Sequence, residues 1–277
     1  MKIKIYKKII HDGLAWIMAF IWIIPFLGLL MAAIRPMDEL LHGWWNLETL
    51  NITFKNFIGA WNHSNVPLNQ GTINSLLIAV PATVIPVLIA TMTGYGFSRY
   101  RFPTKRSIYI LIILMLALPQ QMIAVPIFGI MNKLGLINNY FGLIIVHTAW
   151  GIPWITFFMR NFFTTLPVEV EEAAKIDGAS DVRIFFNIAL PIATPAIVSA
   201  VSLQFTMVWS DFFLALILMY SPEKLLATQR IPLMRGVYFV DWGLLSAASI
   251  LLMLVPILVY TFFQKYYVKG MIGWSSK

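Results

Sequence analysis

The chain has 277 residues, 59% of them hydrophobic and only 12% charged, about half the charged share of an ordinary soluble domain. The apolar residues run in uncharged blocks at least as long as the roughly 20 residues a helix needs to cross a bilayer, so packing as a water-soluble core is excluded. The lack of cysteine excludes disulfides, thiolate catalysis and zinc–thiolate sites, and the formal charge of +8 flanks the apolar blocks without forming an aromatic-interleaved stripe, which argues against a nucleic-acid partner.

In chain order, a basic start, Met1–Lys8, leads into the first block, Leu14–Ile34. Pro25 interrupts it and no small-residue cleavage site follows, so it is expected as a retained first span, not a signal peptide. The connection Arg35–Thr72 carries Trp44, Trp45 and Trp61, residues that suit anchors at a membrane interface. Five further blocks follow: Ile73–Phe97, Ile108–Ile130, Phe141–Met159, Ile192–Ser210 (continuing to Met219 past one acid) and Leu244–Phe263. The expected fold is therefore all-α and integral to the membrane, with six transmembrane helices. Proline interrupts every block, which membrane helices tolerate because neighbours re-satisfy the freed carbonyls. Lys and Arg number fourteen on the side of both termini and six on the other, which predicts cytoplasmic termini in a cell membrane. Three parts are expected: residues 1–70 as first span and outer loop, 71–264 as a five-span domain, and 265–277 as a cytoplasmic tail.

The connection between the fourth and fifth blocks, residues 164–191, differs from the others in length and content. Pro167 suits the first turn of a helix, with Glu169, Glu171 and Glu172 near the positive end of its dipole. Gly178 is placed as a left-handed stop, Ser180 as the cap of a second short helix, and Pro191 as the opening of the fifth span. A helix resting on lipid is rich in Lys and Arg on its polar face. This segment has five acids between Glu169 and Asp181 and one Lys, a composition that suits docking into a protein groove.

Within it, Glu172-Ala173-Ala174, three residues, Gly178, nine residues, then Ile188-x-Leu190-Pro191 resembles the EAA loop of ABC-importer permeases. Asp177 and Ala179 around Gly178 match the sugar-importer version, Asp-Gly-Ala. Gly94-Tyr-Gly-Phe-Ser-Arg-Tyr-Arg-Phe-Pro103, Trp209-Ser-Asp-Phe212 and Gln264-Lys-Tyr-Tyr-Val-Lys-Gly270 are similar to further segments of carbohydrate permeases of the maltose-transporter MalG type, with Ser210 departing from the usual Asn. The resemblance implies a type I importer fold and a non-catalytic sugar-transport subunit. It implies a second homologous permease, an ATPase dimer that alone binds ATP and Mg, and an extracytoplasmic sugar-binding protein. It also implies that Glu172, Ala173, Ala174, Asp177, Gly178, Ile188, Leu190 and Pro191 couple to the ATPase, with Tyr267, Lys269 and Gly270 of the tail touching it. No Gly-x-x-x-x-Gly-Lys-Ser/Thr phosphate loop occurs in the chain, in keeping with energy supplied by another polypeptide.

Five polar residues are candidates for a solute pathway. Asp211 is the one acid within a long apolar run, and such residues are functional candidates by default; the alternative is an interfacial carboxylate in water or paired with Arg230 or Arg235. Gln204 and Trp209 offer amide and stacking contacts to a sugar, and Gln120 and Gln121 follow the kink-forming Pro119. Helix–helix hydrogen bonding accounts for Gln120 and Gln121 equally well. His147 has no second ligand at i+3 or i+4, so no metal site is expected.

Overall fold

The structure, a computed structural model, describes residues 2–48, 50–236 and 238–272, with side chains over 11–266. Two compact units form: one from residues up to Asn69 together with Arg230–Leu254, the other from Gln70–Gln229 together with residues from Val255 onward. Among the described residues, four helices are long and apolar enough to cross a bilayer: His11–Ala33, Leu68–Arg99, Tyr140–Thr165 and Trp242–Tyr266. Two bent pairs, Lys105–Leu116 with Gln120–Lys133 and Asp181–Ile192 with Thr194–Trp209, bring the number to six if each pair is one span.

The bends follow from proline. The first pair turns by 101° where Pro119 takes an extended backbone, and a proline also disfavours the helical conformation in the residue before it. The second pair turns by 71° at Ala193, just where Pro195 lacks the N–H that would bond the Pro191 carbonyl. The helix beyond the bend thus begins at Thr194, while the expected opening residue Pro191 lies in the short helix before it. Pro25 has no such effect, and its helix runs through it unbroken.

In the smaller unit, Arg35 is fully buried, 2.9 Å from Glu39, and donates to the Asn46 carbonyl at 2.8 Å. Burial alone would raise the Glu39 pKa, but hydrogen bonds from Asn51 and Arg35 outweigh it and hold the carboxyl below its ordinary value.

The larger unit is built on helices Leu68–Arg99, Tyr140–Thr165 and Thr194–Trp209. Its core joins Val87, Tyr95, Met159, Phe163, Phe185 and a set of buried alanines, Ala90, Ala189, Ala193, Ala196 and Ala200. Small residues let membrane helices approach closely. One close approach is at Gly94, where a Cβ would lie 2.8 Å from the Met159 side chain and from the Arg160 nitrogen.

Candidate functional site

The segment 164–191 folds as two short helices meeting at a glycine. The first, Glu169–Ile176, carries three acids in its first turn and Lys175 in its last, each favourable with the helix dipole. Gly178 has φ +83°. Its N–H bonds the Lys175 carbonyl and that of Ala179 bonds the Ala174 carbonyl, both at 3.0 Å, the paired 5→2 and 6→1 bonds of a Schellman stop. Ser180 then caps the second helix, its hydroxyl accepting from the Arg183 N–H at 3.4 Å. Both turn residues stand where the sequence puts them. The second helix, Asp181–Ile184, widens into a π-type turn over Phe185–Ala189 before Leu190–Ile192.

The two faces of this segment differ. On the inner face, Glu171 is buried, with its Oε2 accepting from the Tyr95 hydroxyl and its Oε1 from the Arg99 Nε, both at 2.9 Å. Arg99 also donates to the Leu166 carbonyl at 3.3 Å. The Phe185 ring lies 5.0 Å from that of Tyr95, which lies 5.3 Å from Phe163. A charge pair, a phenol and packed rings therefore tie both short helices to the ends of two spans. On the outer face, Glu172, Ala173, Asp177 and Gly178 are exposed, and Ile176 and Val182 are 87% and 67% exposed. A Cβ at Gly178 would meet nothing within 4 Å. Lys175 and Asp181 pair at 3.0 Å across the turn, and that hydrogen bond and charge raise the Lys175 pKa above its ordinary value. Ile188 and Leu190 are half-buried and Pro191 is exposed.

Glu171, Tyr95 and Arg99 were not singled out by sequence reasoning as site residues. The available signal was Glu171 itself, an acid at the start of a helix whose partners stand in the conspicuous Tyr-Gly-Phe-Ser-Arg segment.

The polar residues of the spans are distributed unevenly. The buried Gln204 amide donates to the Ala82 carbonyl at 3.0 Å and accepts from the Trp154 indole at 2.9 Å, cross-linking three spans. Trp209 is buried and stacks on Phe205 at 5.8 Å. Asp211 lies in a break between Trp209 and the short helix Phe213–Leu218, where its Oδ2 accepts from the Ala215 N–H at 3.1 Å. The same oxygen is 3.7 Å from the Nε2 of His147, and both side chains are less than a tenth exposed. The Asp211 side chain is thus largely enclosed by protein. Gln120 and Gln121 sit in the 3₁₀ turn at the bend of the third block, half-buried and exposed respectively. Among the described residues no cluster of three metal-ligating side chains occurs. Tyr267, Lys269 and Gly270 fall in the helix Trp242–Ile272, but their side chains, and residues 273–277, lie outside the described residues.

The chain has counterparts among known proteins. Residues 85–273 match the model of the binding-protein-dependent transport system inner membrane component family. The chain belongs to that family. A Pyrococcus horikoshii protein described as a probable ABC transporter permease is 55% identical to this permease, over 98% of this chain and 99% of its own. The osmoprotective compounds uptake permease protein GgtD of Synechocystis is 36% identical over 100% of this chain and 94% of its own. The diacetylchitobiose uptake system permease protein NgcG of Streptomyces coelicolor is 33% identical, over 92% and 84%. In fold, the permease superposes on a chain from the crystal structure of a bacterial ABC transporter involved in alginate import with a TM-score of 0.79, at 23% identity, covering 94% of this chain and 96% of that one.

Proposed function

We propose that this permease forms half of the membrane pathway of an ATP-driven, binding-protein-dependent importer for a sugar or oligosaccharide, and that segment 164–191 is its contact with the ATPase. The observation that carries the reading is the two-faced loop, buried through Glu171 and Phe185 and exposed through Glu172, Ala173, Ile176 and Gly178. An exposed surface of small, apolar and acidic side chains suits a protein groove better than an anionic lipid surface. The sugar class is supported by relatives named for diacetylchitobiose, α-glucosides and arabinooligosaccharides. The relative named for osmoprotective compounds supports a second reading, a small polar solute.

In this reading the chain pairs with a second homologous permease, and each docks its loop on one subunit of an ATPase dimer. The termini are cytoplasmic, following the Lys and Arg bias. ATP favours one of two pre-existing states by drawing the two loops together, and the binding protein delivers solute to the cavity that opens outside. The side-chain amides of Gln120 and Gln121 have no hydrogen-bond partner among the described residues, and they are the amides we assign to the pathway. Gln204, Trp209 and Asp211 serve the packing of the spans beside it. Tyr267, Lys269 and Gly270 extend toward the ATPase.

The test is reconstitution in liposomes with the partner permease, the ATPase and the binding protein, followed by uptake of labelled sugars. Sugar uptake that needs both ATP and the binding protein supports the assignment. ATP turnover by the purified chain alone would sink it, and uptake of compatible solutes without any sugar would favour the second reading.

A further inference from the structure

A cavity of about 530 Å³ opens where the helix Leu68–Arg99 ends and Lys105–Leu116 begins. Arg101, Lys105, Arg106 and Arg160 line it, over a floor that includes Phe97 and Tyr109, and no Asp or Glu is among its lining residues. None of the four cations is in an ion pair among the described residues. The Lys105 ammonium donates to the Tyr100 carbonyl at 2.8 Å, and the Arg160 guanidinium lies 4.6 Å above the Tyr109 ring, donating to Asn161 Oδ1 at 3.3 Å. The Tyr109 hydroxyl oxygen is itself shut off from solvent and has no hydrogen-bond partner.

Basic residues gather at the ends of membrane helices simply to set orientation, and such residues are ordinarily solvated. Here two of them, Lys105 and Arg160, are half-buried, and all four line one cavity with an aromatic floor and no acidic side chain. Four like charges without a counter-ion repel one another, so an anion seated among them relieves that cost. We infer that this cavity is a site for a phosphate-bearing anion, and that its source is the headgroup of an anionic phospholipid. The lipid source follows from the neighbouring helix. Lys105–Leu116 buries none of its residues in this chain, so the apolar residues from Ile108 to Leu116 are free to lie along acyl chains running from the cavity. Basic pockets between membrane helices bind anionic headgroups in this manner. The inference needs the membrane placement but neither the sugar nor the orientation.

The test is native mass spectrometry of the full chain, expressed with the other subunits of its transporter and titrated with phosphatidylglycerol or phosphatidylcholine. Wild type should retain phosphatidylglycerol preferentially. Arg101→Gln with Arg106→Gln should weaken retention about fivefold per cation removed, the equivalent of ~1 kcal/mol each, while Arg101→Lys with Arg106→Lys should restore it. Matching thermal unfolding in phosphatidylcholine excludes misfolding as the cause. Displacement of the lipid by millimolar inorganic phosphate from wild type, with no effect on the Gln variant, would support the anion site with a free anion as its source. Equal phosphatidylglycerol retention by wild type, the double Gln variant and Arg160→Gln would overturn the proposal.

Discussion

Glu171 and Glu172 are adjacent carboxylates on one eight-residue helix, yet they face opposite demands. Glu171 is buried against Tyr95 and Arg99, whereas Glu172 stands in solvent beside the exposed Ile176. The contrast extends to the second short helix and the turn after it, where Val182 faces out and Phe185 sits among the span rings. An element that passes force between two proteins has to be fixed on one side and available on the other. The inner residues should therefore act through stability and transmission, and the outer ones through association alone.

The sharpest way to break that division is at Glu171. Glu171→Ala strands a buried guanidinium and phenol, and should lower stability by about 3 kcal/mol, read as earlier thermal unfolding in detergent. Replacing both partners, Arg99→Met with Glu171→Leu, should recover most of that loss but leave ATP hydrolysis uncoupled from transport. Full coupling in the double variant would show that the ion pair is not the link.

Gly178 comes next. A side chain at φ +83° carries a penalty of roughly 1–2 kcal/mol, confined to the loop because the space around the position is open. Gly178→Val should lower ATPase association or coupling while the spans still insert, and Gly178→Asn, which tolerates the left-handed region, should do less. Normal transport by Gly178→Val at wild-type expression would remove the coupling role from this loop.

A smaller effect is expected at the Lys175–Asp181 bridge, where both side chains are about half exposed. The Lys175 pKa is raised by its partner, so its contribution is whole at neutral pH and is lost only as pH rises through that raised value. Asp181→Asn should give a slight destabilisation that is flat from about pH 6 to 9 and vanishes in high salt. A marked change near neutral pH would place the pair inside the transmission path. The least change in stability belongs to the outer face: Glu172→Ala and Ile176→Ser should leave unfolding unchanged while weakening ATPase association, measured by co-purification.

Much of this arrangement was legible in the sequence because it is local. Gly178 and Ser180 are fixed by turn and cap chemistry within four residues, and the apolar blocks by their length. What was not legible depends on partners far along the chain. The inner position of Glu171 depends on Arg99, 72 residues away, and an eight-residue helix is too short for periodicity to reveal which face is buried. His147 has no polar partner along its own helix, whereas its neighbour Asp211 comes from the break after Trp209, 64 residues on. The sequence offers Gln204 as an amide for a sugar, whereas its bonds to Ala82 and Trp154 come from spans 122 and 50 residues away. The bends at Ala193 and Pro119 needed geometry too, since Pro25 carries the same signal without breaking its helix.

The 71° turn at Ala193 gives the permease something like a crank. The stretch Asp181–Ile192 spans about 18 Å at 1.5 Å per residue and is set across the axis of the helix it joins. A swing of roughly 10° about the bend would carry the far end of that arm about 3 Å. Side chains at the pivot, Ala189, Ala193 and Ala196, are buried methyl groups, so the fulcrum is narrow and bulk added there would jam it. In the proposed coupling role, travel of a few ångströms at the loop would become a change of pitch in the helix it joins, a gearing set by where the chain places its prolines.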